Sequence, residues 1–389
     1  MTVRKLFRAL ATILAACMVL FACGAYAAET VTAGAKPTTA QADVTADPDA
    51  TTQPDATANS ETTTQTDASA DLDVTADPDA LSTPAPEPTP AVLPADAPAG
   101  LTLDSDGYAT EGEYFISDKE TGSYHYWSQS LQIHITRHAD TSPKVVWVEA
   151  QIYARNDTLF HMFAYDDTDI VHKSAHQTVI AQKNHVVFAI NGDFAHLRLG
   201  WKATAGLLIR NGTVISDKTF TKKATKYPNL DNLALLPDGA MLAFGRNEHT
   251  IDDYVAMGAY DLLAFGPVLV HEGVLNSNDF KRYGWERAPR TAIGMITPGH
   301  YVAIMVEGRQ DESRGWSTTH LAAHMQALGA VEALNLDGGQ SATMIFMGQQ
   351  IIRVGNSKSD TAKPRKATEV LGIGQSDLVQ LPETDSIAK

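Results

Sequence analysis

The chain has 389 residues, with 46 Asp and Glu against 30 Lys and Arg, for a formal net charge of −16. The excess acid sits in residues 29–106, which hold 15 carboxylates and Lys36 as their only cation, so the remainder is close to balanced. No basic stripe with interleaved aromatics occurs, which excludes a nucleic-acid-binding face, and both cysteines, Cys17 and Cys23, lie in the amino-terminal apolar run, which excludes thiol catalysis, cysteine-ligated zinc and disulfides once that run is removed.

Residues 1–28 have the three parts of a secretory signal: the basic Arg4, Lys5 and Arg8, an apolar stretch from Ala9 to Ala22, and Ala25-Tyr26-Ala27 at a small-x-small cleavage position. Cleavage after Ala27, acylation of Cys23 and retention as an anchor are the three fates it allows, and each places the protein in the envelope or outside the cell. Residues 29–106 are rich in Thr, Ala, Asp and Pro and poor in large apolar side chains, so they cannot bury enough surface to offset the entropy of ordering. The octapeptide DVTADPDA occurs twice there, at Asp43–Ala50 and Asp73–Ala80, as low-complexity duplication rather than a structural repeat. The segment reads as an extended, self-repelling spacer. Residues 107–376 read as one globular domain, followed by a tail at 377–389.

Within that domain Leu131–Thr136 alternates as a strand, Val145–Tyr153 is β-rich, and Val186–Ile190 is a short apolar strand. Three hairpins are predicted from turn residues between apolar runs. Leu207–Ile209 and Val214–Ile215 flank Asn211-Gly212; Leu233–Leu236 and Met241–Phe244 flank Pro237-Asp238-Gly239; Ile345–Met347 and Ile351–Val354 flank Gly348. Two helices are predicted, over Asp252–Ala264 and over Thr318–Leu328, the second with Ser317 as its cap and Gly329 at its end. Hairpins interleaved with helices predict an α+β fold of mixed, largely antiparallel sheets with packed helices.

The segment Leu334–Met344 reads LNLDGGQSATM: a β-like run ends at a carboxylate, followed by two glycines and hydroxyl residues. Glycines there permit positive φ and let backbone N–H groups approach a ligand. Taken alone, it is also the composition of an ordinary Asp-Gly-Gly turn. It follows the blocks AINGDF (189–194), GLLIRN (206–211), FGPVLV (265–270), PRTAIG (289–294) and VEGRQDESRG (306–315).

In this order the blocks resemble the phosphodiester glycosidase family, over roughly residues 130–375. The resemblance implies a hydrolase that releases a sugar from a phosphodiester at the anomeric carbon and uses no cofactor or metal. It implies Asp337, Asp193 and Glu307 as catalytic carboxylates. It implies Asn191, Arg290, Thr291, Arg309, Asn335, Gly338, Gly339 and Ser341 as substrate-binding residues. The family pattern is not fully kept: Ala195 stands where an aromatic is common, Glu307 where Asp is usual, and Gln340 and Ala342 replace a typical Gly and Ser.

The chemistry agrees with a sugar–phosphate substrate. Planar guanidiniums such as Arg290 and Arg309 match phosphate oxygens bidentately, although each also suits a structural ion pair. A phosphate monoester leaves as a stable anion, so one carboxylate near the anomeric carbon suffices where other glycosidases need two. The expected partner is a phosphorylated glycan or envelope polysaccharide. Two other readings stand beside this one: a glycan-binding module without turnover, and a metal-dependent phosphodiesterase. His320 and His324 have zinc-compatible spacing but lack the intervening Glu of the protease motif, and Asp166-Asp167-Thr168-Asp169 reads as a solvated loop rather than a calcium site.

Overall fold

The computed structural model describes residues 97–170, 172–194, 206–218, 230–276, 286–354 and 363–381. The signal, the duplicated octapeptide, both cysteines and Ala195 lie outside the described residues.

In chain order the elements are β1 (Tyr114–Asp118), β2 (Ser123–Trp127), β3 (Leu131–Thr141), β4 (Lys144–Ala154), β5 (Phe160–Ala164), β6 (Ala175–His176), α1 (Gln177–Lys183), β7 (Val186–Asn191), β8 (Gly206–Arg210) and β9 (Thr213–Lys218). There follow β10 (Asp231–Leu235), β11 (Met241–Phe244), α2 (Ile251–Met257), β12 (Asp261–Phe265), β13 (Val268–His271), β14 (Val274–Leu275), β15 (Arg290–Thr297) and β16 (His300–Val306). The chain continues with α3 (Thr318–Ala327), β17 (Glu332–Leu336), a 3₁₀ turn at Gly339–Ser341, β18 (Met344–Phe346), β19 (Gln349–Gln350), β20 (Lys366–Ala367) and β21 (Glu369–Gln375).

A nine-stranded sheet runs β1-β2-β3-β4-β16-β15-β17-β13-β14. One of its faces packs on two five-stranded sheets, β19-β18-β7-β21-β5 and β11-β10-β12-β8-β9, through the main core, which contains Ile133, Ile152, Phe188, Leu263, Leu334 and Phe346. Its opposite face is covered by α3, which buries Leu321, Ala322 and Met325 against Trp147, Val302 and Ile304. The site lies where β15, β16 and β17 end together.

The balance of elements departs from the α+β expectation. Every strand pairing among the described residues is antiparallel, so the sheets are not mixed, and the helices are short additions to a sheet-dominated fold. The predicted helix over 252–264 shows why. A capping box between Thr250 and Asp253 starts it, but Gly258 in the left-handed conformation ends it after Met257. The apolar run Asp261–Phe265 then forms β12, and a strand apolar on both faces has no period to separate it from a helix. The helix expected at 318–328 forms with Ser317 as its cap.

The hairpin around Asn211-Gly212 has a two-residue turn with both residues at positive φ, as the strand twist requires. At Gly348 the hairpin is shorter than the apolar runs suggest. Phe346 pairs with Gln349, and Ile351–Val354 lies beyond the second strand.

The fold reaches beyond the expected limits of 107 and 376. Leu101 packs with Ala109 against Trp127, Leu103 bridges Ala109, and the Tyr114 hydroxyl donates to the Gly100 carbonyl at 3.0 Å. At the other end Val379 enters the main core. A 97–389 fragment is therefore expected to be more stable than a 107–389 fragment by about 1.5–3 kcal/mol, the worth of one buried leucine. Equal denaturation midpoints for the two would show that Leu101 contributes nothing.

Candidate active site

The antiparallel register fixes the site. Val306, the last residue of β16, faces Arg290 at the start of β15, and Thr291 faces Leu336 at the end of β17. Glu307, Arg290 and Asp337 therefore leave the sheet along one edge. Close backbone approach then draws the connecting turns together. A Cβ on Gly338 would lie 2.5 Å from the Pro289 carbonyl oxygen, one on Gly308 2.6 Å from the Pro289 nitrogen, and one on Gly315 2.3 Å from the Ala288 carbonyl oxygen. Only glycine fits at these three positions.

Arg290 is buried, and its Nη2 and Nε donate to the Glu286 and Trp316 carbonyls at 2.9 and 3.3 Å. Burial and the neighbouring Arg309 guanidinium push its pKa down to about 10. Arg309 is exposed at a φ of 58°, a conformation uncommon outside glycine. Its Nη1 lies 3.6 Å from where a Cβ of Gly339 would stand, so the guanidinium covers the turn after Asp337.

Asp337 retains some contact with solvent yet lies deep in the protein mass. Burial pushes its pKa up to about 6, against the lowering effects of the Ser341 hydroxyl, the Arg365 charge and the Gly338 N–H. Its backbone is held from the neighbouring sheet. Asn191 Nδ2 donates to the Asp337 carbonyl at 2.9 Å, and Asn191 Oδ1 accepts from the Thr343 N–H at 3.2 Å. Gln177 Nε2 holds the Ser341 carbonyl at 3.0 Å, and the Arg365 N–H donates to the Gln340 carbonyl at 3.0 Å.

Of the residues nominated from sequence, Arg290, Arg309, Asp337, Gly338, Gly339 and Ser341 thus lie on the turns that converge at one end of the sheet. Asn191 stands beneath it as a tether. Thr291 is fully buried beside Leu336, and its hydroxyl has no hydrogen-bond partner among the described residues. Asn335 Nδ2 donates to the Gly266 carbonyl at 2.8 Å and so fastens β17 to the turn before β13.

The two other nominated carboxylates are held by arginines elsewhere. Asp193 Oδ2 accepts from Arg210 Nη2 at 2.8 Å, and Arg210 also makes a two-pronged pair with Glu369. With the Ile209 and Leu262 carbonyls at 2.7 and 2.6 Å, all five guanidinium N–H groups of Arg210 are used. Burial alone would lower the Arg210 pKa, but the Glu369 carboxylate beside it raises it. Glu307 Oε2 accepts from Arg353 Nη2 and Nε at 2.7 and 3.0 Å, and its Oε1 lies 3.9 Å from Arg137.

Arg365, Arg353 and Glu369 escaped the sequence reading. Arg210 stood inside the quoted block GLLIRN, where a cation ending a fully buried strand was the available signal. The zinc-spaced histidines pack against Trp316, and His324 Nε2 lies 3.3 Å from Glu149.

Residues 184–374 match the Phosphodiester glycosidase family. No curated protein matches the chain. Among solved structures, the catalytic domain of zebrafish N-acetylglucosamine-1-phosphodiester alpha-N-acetylglucosaminidase, auto-inhibited by its pro-peptide, is similar at 19% identity. That match covers 69% of this chain and 90% of that one with a TM-score of 0.50, and it shows a shared fold. A hypothetical protein from Synechocystis matches at 15% identity over 63% of each chain with a TM-score of 0.42. An exported protein from Burkholderia pseudomallei matches at 15% identity over 61% of this chain and 74% of that one with a TM-score of 0.43.

The raised pKa of Asp337 has a consequence for stability. Ionising this carboxyl is harder in the folded than in the unfolded protein, so its contribution is full below its ordinary pKa of 3.8 and is lost as the pH rises through about 6. Asp337→Asn is expected to be more stable than the wild type near pH 8, by up to about 2 kcal/mol, and to lose that advantage near pH 4. Denaturant titrations at both pH values measure the gap, and a gap independent of pH would contradict the burial of an ionised Asp337.

Proposed function

From the match of residues 184–374 to the phosphodiester glycosidase family, we propose that the protein is a hydrolase cleaving the anomeric C–O bond of a glycosyl phosphodiester. The observation that supports this reading is that two adjacent guanidiniums, Arg290 and Arg309, stand at the strand end next to the one that carries Asp337, a carboxyl whose pKa burial raises. Two like charges that disfavour one another mark a place where an anion is stabilised, and a phosphodiester is a permanent anion. Arg290 and Arg309 hold its oxygens. The Gly338-Gly339 turn holds Asp337 in place, with the Gly338 N–H on the Asp337 carboxyl and the Gly339 N–H on the Pro289 carbonyl.

Asp337 then acts at the anomeric carbon as base or nucleophile. With a pKa of about 6 it is largely ionised at neutral pH, and its proton affinity is close to the optimum for proton transfer there. The leaving phosphate monoester needs no proton to depart, so a second free carboxyl is unnecessary. That agrees with Asp193 and Glu307 being engaged by Arg210 and Arg353, and we assign both to the framework of the site. The amino-terminal signal pattern and acidic spacer support a position outside the cytoplasmic membrane, with a phosphorylated envelope glycan as substrate.

Hydrolysis in ¹⁸O-labelled water tests the bond cleaved. Label in the sugar is expected, and label in the phosphate would establish P–O cleavage by a phosphodiesterase instead. The division of labour is tested by rates on one phosphodiester and one uncharged aryl glycoside. Arg290→Lys is expected to lose about 30- to 150-fold on the phosphodiester, because an ammonium cannot reproduce the planar fork, and much less on the neutral substrate. Asp337→Asn is expected to depress both. Equal losses for Arg290→Lys on the two substrates would remove the clamp, and a fully active Asp337→Asn would remove the catalytic assignment.

A further inference from the structure

A cavity of about 390 Å³ opens at the same end of the nine-stranded sheet as Asp337. Its floor is apolar and deeply covered: Tyr124 is 2% exposed and Ile351 7%. Its polar walls are Lys119, Arg137, Arg353 and Glu307, so three cations meet one carboxylate on a chain whose overall charge is −16.

The cations are not equivalent. Arg353 is committed to Glu307 at 2.7 Å and lies 3.8 Å from Glu312. Arg137 has only the long 3.9 Å approach to Glu307, made by a side chain 40% exposed. Lys119 has no ion-pair partner among the described residues. Two cations with donors to spare therefore border this cavity, where a concave wall of one sign favours an opposite charge. The single carboxylate is already satisfied by Arg353, so it does not oppose an incoming anion with a full charge.

The cavity adjoins the proposed reaction centre. Glu307, in its wall, is two residues before Arg309, and Val306 pairs with Arg290. Met305 belongs to the core between the sheets whereas Val306 faces α3, and the chain then runs from Glu307 in the cavity wall to Arg309 within three residues.

We propose that this cavity is an accessory oxyanion subsite that holds a second phosphate of the same substrate chain, next to the one at Arg290 and Arg309. The substrate class is then a glycan or polyol chain carrying successive phosphodiesters. This rests on the reading of the Asp337 site as one acting on glycosyl phosphodiesters, but its test requires no turnover.

The probes are a synthetic chain of three glycerol phosphodiesters without any sugar, and inorganic phosphate, each titrated calorimetrically into the 97–389 protein at low salt. The chain is expected to bind more tightly than inorganic phosphate. The double variant Lys119→Gln/Arg137→Gln should bind the chain about tenfold more weakly, as two partly exposed charge contacts would give. Lys218→Gln, which removes an exposed charge at the end of β9, should bind the chain as the wild type does. Unchanged affinity in the double variant, an equal loss in Lys218→Gln, or binding of inorganic phosphate without binding of the chain would each overturn the proposal. A protein that binds the chain through Lys119 and Arg137 but hydrolyses no glycosyl phosphodiester would keep the subsite and refute the activity.

Discussion

The backbone at Ala288–Pro289 is approached so closely by three other segments that no side chain fits between them. Gly308, Gly315 and Gly338 each bring their own backbone against these two residues, where an added Cβ would fall within 2.6 Å of main-chain atoms. The antiparallel ladder of β15, β16 and β17 sets the strand ends level, and these contacts turn level ends into a converged site. Arg290 begins its strand immediately after the crowded pair, Arg309 follows Gly308, and Asp337 precedes Gly338. Three residues from three strand ends thus lie close along the chain's crowded turns because Gly308, Gly315 and Gly338 carry no side chain there.

Convergence alone would not single out Asp337. Several acidic residues lie near this end of the fold, and their arginine partners separate them. Asp193 and Glu369 share Arg210, which is buried with all its donors used. Removing one partner of such a cluster would leave an uncompensated buried charge, which makes the cluster a rigid anchor for the end of β7. Glu307 is held by Arg353. Asp337 has the Ser341 hydroxyl and the field of Arg365, too little to offset its desolvation, so its pKa is raised. The same low-dielectric surroundings push the pKa of Arg290 down. Burial thus acts on both signs of charge at this end of the sheet, raising the pKa of a carboxyl and lowering that of a guanidinium.

The charge of the molecule is unevenly placed. Its acid is concentrated in residues 29–106, while the end of the nine-stranded sheet gathers Arg290, Arg309, Arg137, Arg353 and Lys119. These cations stand with Glu307 and Glu312, the carboxylates that Arg353 approaches.

Local chemistry in the sequence determined the elements whose signals are short. Asn211-Gly212 specifies a two-residue hairpin because both residues accept positive φ, and Ser317 with Gly329 brackets a helix by supplying its missing cap contacts. The resemblance of the motif blocks to a known family also nominated Asp337, Arg290 and Arg309 for one candidate site. The run at 261–265 was not legible, because a strand buried on both faces shows no alternation to distinguish it from a helix. Nor were the partners of the carboxylates. Asp193 meets Glu369 through Arg210, and Glu307 meets Arg353, across separations in the chain that no local pattern spans. Which acid stays reactive depends on where the low-dielectric core lies and which arginine reaches it, and only tertiary packing decides that.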